Sequence, residues 1–417
     1  MHTSTASQDP RPFTANKDLS NSDIPVNHNL KDRFCSKPWE FIEIGREGKA
    51  TACCPSWLPK LIGKLPEDSV EAAWNSDSMR EIRASILDGS FRFCRPANCT
   101  LIASGTLPKR NKICDPKIRN IIAENSTFMA DEPKRYFLSY DSSCNLSCPS
   151  CRTVRVNIAD GPEYESLQNI HSRVIKALFS QPHDRHFLVN ITGAGDPFAS
   201  KLFRSLLTTV DGADYPNVVF DFQTNGVMFT RKCFEQMGKI KHNLGRIAVS
   251  FDAANPSTYS VTRRGGDWNQ LIDNMSFMNE LRQEKLIKNL TVEYVVQALN
   301  YQELPDFVNL LNRYKAVDTI SFSLINNWGT YSAEEFKKQA IWQTDHPEFT
   351  NFLRVLCDPA LCNGRIFWGN VYPYRLTALK QMGNRILLGN KIRSRINKLQ
   401  NKITVTMRDA LTSCQNR

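Results

Sequence analysis

None of the apolar runs in this 417-residue chain approaches the ~18 residues that a membrane-crossing helix requires. No secretory pattern opens it either. Residues 1–33 are polar, rich in Ser, Thr, Asn, Asp and Pro, and read as a disordered lead. Internal repeats and long low-complexity tracts are missing, which sets aside solenoid and fibrous architectures. Net charge is also missing from most of the chain, since residues 1–363 hold 42 basic and 41 acidic side chains. The excess sits in residues 364–417, where eleven Lys or Arg face the single acid Asp409. No aromatic-studded basic patch accompanies that charge, which argues against nucleic acid as a partner.

What is present is cysteine, thirteen residues in all, grouped at metal-like spacings. A reducing cytoplasm is the expected home of such thiols, and a disulfide framework is not expected there. Three of them form Cys144-x3-Cys148-x2-Cys151, directly after the short strand expected at residues 136–140. Thiolates suit Fe–S clusters, zinc or Cu(I). A [4Fe–4S] cube normally takes four of them. With no further Cys or His within a dozen residues, one iron would stay open to a ligand that is not protein. A zinc site completed from elsewhere in the chain is the alternative.

Further elements follow in order. Phe187-Leu188-Val189-Asn190-Ile191 runs into Thr192-Gly193-Ala194-Gly195-Asp196-Pro197, where glycines permit close backbone approach. Residues 218–226 form a third apolar run ending Thr224-Asn225-Gly226, and 246–253 a fourth containing Ser250 and Asp252. Thr258-Tyr259-Ser260-Val261-Thr262-Arg263-Arg264-Gly265-Gly266 comes next, then apolar runs at 291–297 and 319–324. Helical patterns such as 171–179 and 268–282 lie between strands, as in parallel βαβ units. Each run alone reads equally well as core packing.

As an ordered set over residues 135–330, this stretch resembles the radical S-adenosylmethionine (SAM) superfamily. The resemblance implies an α/β fold, a partial (β/α)6 TIM-like barrel with its site at the C-terminal ends of the strands. It implies that Cys144, Cys148 and Cys151 hold a [4Fe–4S] cluster. Gly193, Ala194, Gly195 and Asp196 would face the SAM amino group, and Ser250 and Asp252 the ribose and substrate. Arg263, with Arg264 as alternate, would face the SAM carboxylate, and Asp252 would stand nearest the reaction. The family's usual aromatic before the third cysteine is Ser150 here.

Upstream, Cys35-Ser36-Lys37-Pro38-Trp39 leads to Gly48, Cys53-Cys54, Leu61-Ile62-Gly63-Lys64-Leu65, Trp74-Asn75-Ser76 and Cys94-x4-Cys99. This series resembles a SPASM or twitch domain, which implies an auxiliary [4Fe–4S] cluster on Cys35, Cys53, Cys94 and Cys99, with Cys54 and Cys114 as alternates. A four-cysteine zinc site fits the same residue types.

The expected layout is therefore a lead (1–33), an auxiliary domain (34–115), a linker (116–133), a core barrel (134–340) and a C-terminal extension (341–417). In the last, Leu388, Ile392, Ile396, Leu399 and Ile403 recur at helical spacing beside Lys391, Arg393, Arg395, Lys398 and Lys402. Such a basic helix would lie on an anionic membrane surface, meet an anionic partner, or pack on the barrel.

The resemblance implies an oxidoreductase. It would cleave SAM to a 5′-deoxyadenosyl radical with one electron from a donor such as flavodoxin or ferredoxin, and then take a hydrogen atom from a substrate carbon. Oxidation or epimerisation of a carbohydrate or other small metabolite is the first expectation, and modification of a ribosomally made peptide the second. A non-catalytic Fe–S or zinc scaffold is the alternative of another class.

Overall fold

A computed structural model of the chain describes residues 29–191 and 194–386. Ten strands are formed: β1 Phe41–Ile44, β2 Lys49–Thr51, β3 Leu61–Lys64, β4 Arg135–Leu138, β5 Phe187–Ile191, β6 Val218–Thr224, β7 Leu244–Ser250, β8 Asn289–Val296, β9 Thr319–Leu324 and β10 Ile366–Phe367. They make one sheet in the order β10-β9-β8-β7-β6-β5-β4-β1-β2-β3. From β4 to β9 every neighbouring pair is parallel. Parallel neighbours need crossover connections, and helices Gly161–Phe179, Lys201–Thr209 and Trp268–Gln283 lie between the strands. The fold is thus the expected α/β arrangement, with a barrel that its strands do not close.

Alternation along the strands separates two faces. Phe220, Phe222, Tyr294 and Phe322 point to the helices: Phe220 stacks on Phe179, and Tyr294 and Phe322 meet Phe307. The opposite, inner face carries Glu43, Phe137, Asn190, Gln223, Ser250, Glu293, Ser321 and Ser323, and all of these except Asn190 are half-buried. A polar inner wall backed by an apolar layer follows directly from the pattern of two.

The N-terminal cysteine-rich segment is not separate from this sheet. Its strand β1 pairs in parallel with β4, Glu43 opposite Phe137. Residues 116–133, expected as a linker, include helix Pro116–Glu124, capped by the Asp115 carboxylate on Lys117 N (2.8 Å). The strap that follows is fastened to the N-terminal segment. Trp39 Nε1 donates to Ser126 O (3.0 Å), and Trp74 Nε1 to Asp131 O (2.8 Å). Arg83, fully buried, donates to Pro38 O, Asn75 Oδ1, Thr127 O and Trp74 O at 2.8–2.9 Å. These bonds pair an otherwise costly buried guanidinium and give the Trp74-Asn75 step a structural role.

The same segment reaches the far end of the sheet. Helix Thr100–Ala103 packs on the turn Gly369–Val371 beside β10, where a Cβ on Gly369 would stand 3.4 Å from the Thr100 methyl. The N-terminal segment thereby meets the β10 end of the sheet through a helix. The amphipathic pattern from Leu388 to Ile403 lies outside the described residues. Among the described residues no helix is long and apolar enough to cross a membrane.

Candidate active site

The loop after β4 carries Cys144, Cys148 and Cys151, and the ends of the neighbouring strands hold it in place. Asp141, fully buried, accepts from Ser143 N (2.8 Å) and from Ser200 Oγ (2.6 Å), whose hydroxyl also caps helix Lys201–Thr209. Arg152 donates to Ser142 O (2.6 Å) and to Ala194 O, and lies 3.5 Å from Cys151 Sγ. Asn225, just after β6, donates to Asn145 Oδ1 (2.8 Å) and lies 3.8 Å from Cys144 Sγ. Arg264 donates to Ser147 Oγ (3.2 Å) and Thr153 O (3.0 Å), so its side chain grips the cysteine loop.

The turn after β5 packs on that loop through backbone. Asp196 N donates to Ser143 O (2.8 Å). A Cβ on Gly195 would fall 2.3 Å from Ser143 O, so only glycine fits. The close approach made by Gly195 is therefore to the cysteine loop itself. The Asp196 carboxylate is buried and accepts from Phe198 N (3.0 Å), Thr224 Oγ1 (2.8 Å) and Asn225 N (2.8 Å). It ties β5 to β6 and leaves its backbone to face the loop. Gly193 lies outside the described residues.

Asp252 follows β7 in the left-handed region (φ 61°), fully buried, with its carboxylate accepting from Val295 N at 2.7 Å. Arg263 Nη2 is 2.7 Å from the same carboxylate, and Nη1 is 3.9 Å from Cys148 Sγ. Arg263 Nε is buried without a partner, as is the Tyr259 hydroxyl. Burial opposes the guanidinium's charge, but Asp252 holds it protonated. Burial pushes the Cys144 thiol up to about 11 against the pull of Arg152, and it raises Cys148 against Arg263. Two guanidiniums thus stand where a cluster's thiolates would need positive charge. Three thiols on one loop, balancing arginines and one orphaned N–H make a donor set that fits a SAM-binding [4Fe–4S] cluster. Ser250 sits beside Glu293 in register, on the inner wall below.

In the N-terminal segment, Cys35, Cys53, Cys94 and Cys99 line one cavity together with Lys37, Trp57 and Phe91. They arrive from different elements: Cys35 just before the first turn, Cys53 after β2, and Cys94 and Cys99 in the segment that leads into helix Thr100–Ala103. Cys54 bonds Ser56 Oγ (3.2 Å) instead, and Cys114 is exposed. Among the described residues no three or more Cys, His, Asp or Glu close on a point as a lone metal ion requires. The four thiols ring a space. Lys37, Arg152, Asn190 and Asn225 were not among the residues expected from sequence. A cation or amide beside a cysteine motif is a weak signal until the chain folds it onto sulfur.

A model of the SPASM family, described as an iron–sulfur cluster-binding domain, matches residues 35–100. A curated relative, GTP 3′,8-cyclase of Limosilactobacillus fermentum (strain NBRC 3956 / LMG 18251), is 29% identical over 212 residues. That match spans 49% of this chain and 57% of the relative's length. Among solved structures, TYW1 with a lysine-pyruvate adduct bound aligns over 51% of this chain and 68% of its own, at 16% identity and a TM-score of 0.31. Native anSMEcpe with bound AdoMet and Cp18Cys peptide aligns over 46% and 50%, at 17% identity and a TM-score of 0.30. Residues 35–100 thus carry a SPASM-type iron–sulfur cluster-binding domain, and the ordered motifs at the strand ends behind it are similar to those of radical SAM enzymes.

Proposed function

We propose that this protein is an oxidoreductase that cleaves SAM at the Cys144, Cys148 and Cys151 cluster and removes a hydrogen atom from a carbon of a hydroxyl-rich small molecule, oxidising or epimerising it. The cluster with bound SAM would supply a 5′-deoxyadenosyl radical from one electron of a flavodoxin- or ferredoxin-like donor. The chain's own residues position and enclose. Arg263 offers Nε to the SAM carboxylate while Asp252 fixes its plane, and the Gly195 turn sets the height of the cysteine loop.

The observation that carries the substrate class is the inner wall. Asn190 is fully buried there with both amide atoms unpartnered, a state that costs about 1–3 kcal/mol unless something else pairs them. Across the wall Gln223 donates to Glu293 (2.7 Å), and Ser139 to Glu43 (2.8 Å). Phe41 and Phe137, with ring centroids 4.5 Å apart and tilted by 52°, add aromatic surface beside them. Donors and acceptors mixed with an aromatic face suit a neutral ring bearing hydroxyls. Arg246 on this wall faces Asp221 at 3.7 Å, and Arg135, on the same face of β4, is also within electrostatic reach of that carboxylate.

The test is isotopic. Anaerobic holoenzyme with SAM and dithionite is given ring-deuterated cyclitols and methyl pyranosides, and deuterium in 5′-deoxyadenosine is read by mass spectrometry. Transfer from a ring carbon supports the reading. Transfer only from added peptides would favour the peptide alternative.

A further inference from the structure

Lys37 enters the auxiliary cavity with its ammonium against sulfur. Nζ lies 3.9 Å from Cys53 Sγ, 4.5 Å over the Trp57 ring and 5.4 Å over that of Phe41. It lines the same cavity as Cys35, Cys53, Cys94 and Cys99. Among the described residues no carboxylate makes an ion pair with it. A buried ammonium is expensive unless something negative faces it. Here the nearest such group is the Cys53 sulfur, with the Glu43 carboxyl also within electrostatic reach. The two rings hold the ammonium by cation–π attraction and exclude water from it.

We propose that Lys37 sets the reduction potential of the auxiliary iron–sulfur centre, holding it higher than the cysteines alone would. The inference rests on the auxiliary cluster being bound by those four thiols. A fixed positive charge in a dry cavity favours whichever state of a cluster carries one more electron, and net charge and contacts to sulfur are among the levers that move such potentials. Phe41 lies on β1 beside Glu43 and touches Phe137, so the charge stands between the cavity and the inner wall. Lys37 is a tuning residue that acts through the centre and need not touch substrate.

The experiment is a redox titration of the full-length, anaerobically reconstituted protein followed by electron paramagnetic resonance. The auxiliary signal is the one that survives replacement of Cys144, Cys148 and Cys151. In Lys37→Met the ratio of reduced to oxidised centre at a fixed potential should fall at least tenfold, a midpoint lowered by about 59 mV or more for one electron. Lys37→Arg should return it to within threefold of wild type. If Lys37→Met fails to retain iron, Trp57→Leu, which removes the ring under Nζ, should lower the midpoint in the same direction. An unchanged midpoint in either iron-replete variant would overturn the proposal. Absence of any reducible signal in wild type once the barrel cysteines are replaced would instead remove the cluster reading on which it rests.

Discussion

A β-carbon on Gly195 would fall 2.3 Å from the Ser143 carbonyl oxygen and 2.9 Å from that of Asp141. Gly195→Ala should therefore displace the cysteine loop, with barrel-cluster iron and SAM cleavage falling together at least tenfold. Gly238→Ala, where a Cβ meets nothing, should change neither. Asp252→Asn keeps the shape but strands the Arg263 guanidinium, buried with 13% of its side chain exposed. Breaking a buried pair of this kind typically costs about 3–5 kcal/mol. Denaturant unfolding should show a loss of that order, and SAM affinity should fall as Arg263 loses its orientation. Burial raises Glu43 to about 7, above its unfolded value. Its stabilising contribution is thus complete at low pH and is lost as pH rises through 7. Wild type should lose thermal stability relative to Glu43→Gln as pH rises from about 4.5 to about 7, as read by the difference in Tm. The positions of Cys144, Cys148 and Cys151 after β4, of Gly195 after β5 and of Asp252 after β7 were legible because each follows a strand within a local pattern, whereas Arg263 comes to Asp252 from the end of helix Pro256–Thr262. What Asp196 does was not. Its carboxylate turns to Thr224 and Asn225, a choice made by packing between two strands.

The six strands β4 to β9 fall within a few residues of the runs read from sequence, because continuous apolar stretches between helical patterns mark buried parallel strands well. The pairing of β1 with β4 was hidden, since it joins residues nearly a hundred positions apart and β1 is only four residues long. The described part of the C-terminal extension likewise packs in a way that its charge did not reveal. Residues before 387 belong to the body: Val371 is fully buried, Asn370 Oδ1 accepts from Leu324 N (2.8 Å), and Arg375 packs over Trp368. Truncation after Asn363 should therefore cost solubility and both clusters. Truncation after Ile386 should keep both clusters and remove salt-sensitive binding to anionic vesicles, if the basic residues from Lys391 onward supply it. Iron content and vesicle co-sedimentation of the two truncations decide the matter.

One sheet runs from the N-terminal strands through the core, and helix Thr100–Ala103 packs on the turn beside β10 at its far end. The auxiliary thiols and the barrel thiols therefore belong to one folding unit. Removing residues 1–133 would strip β1 from β4 and expose Tyr136 and Phe137 at a bare edge. Such a chain should aggregate rather than yield an isolated core. The arrangement also gives the inner wall contributions from both ends of the chain's first half, Glu43 from one and Asn190 from the other. The most direct test of the radical SAM assignment is 5′-deoxyadenosine formation and iron content in the full-length chain with Cys144, Cys148 and Cys151 all changed to Ala. Wild type should hold about eight irons, two cubes' worth, and cleave SAM under dithionite. The variant should keep about four irons and form no 5′-deoxyadenosine, whereas cleavage persisting in it would contradict the assignment of the site.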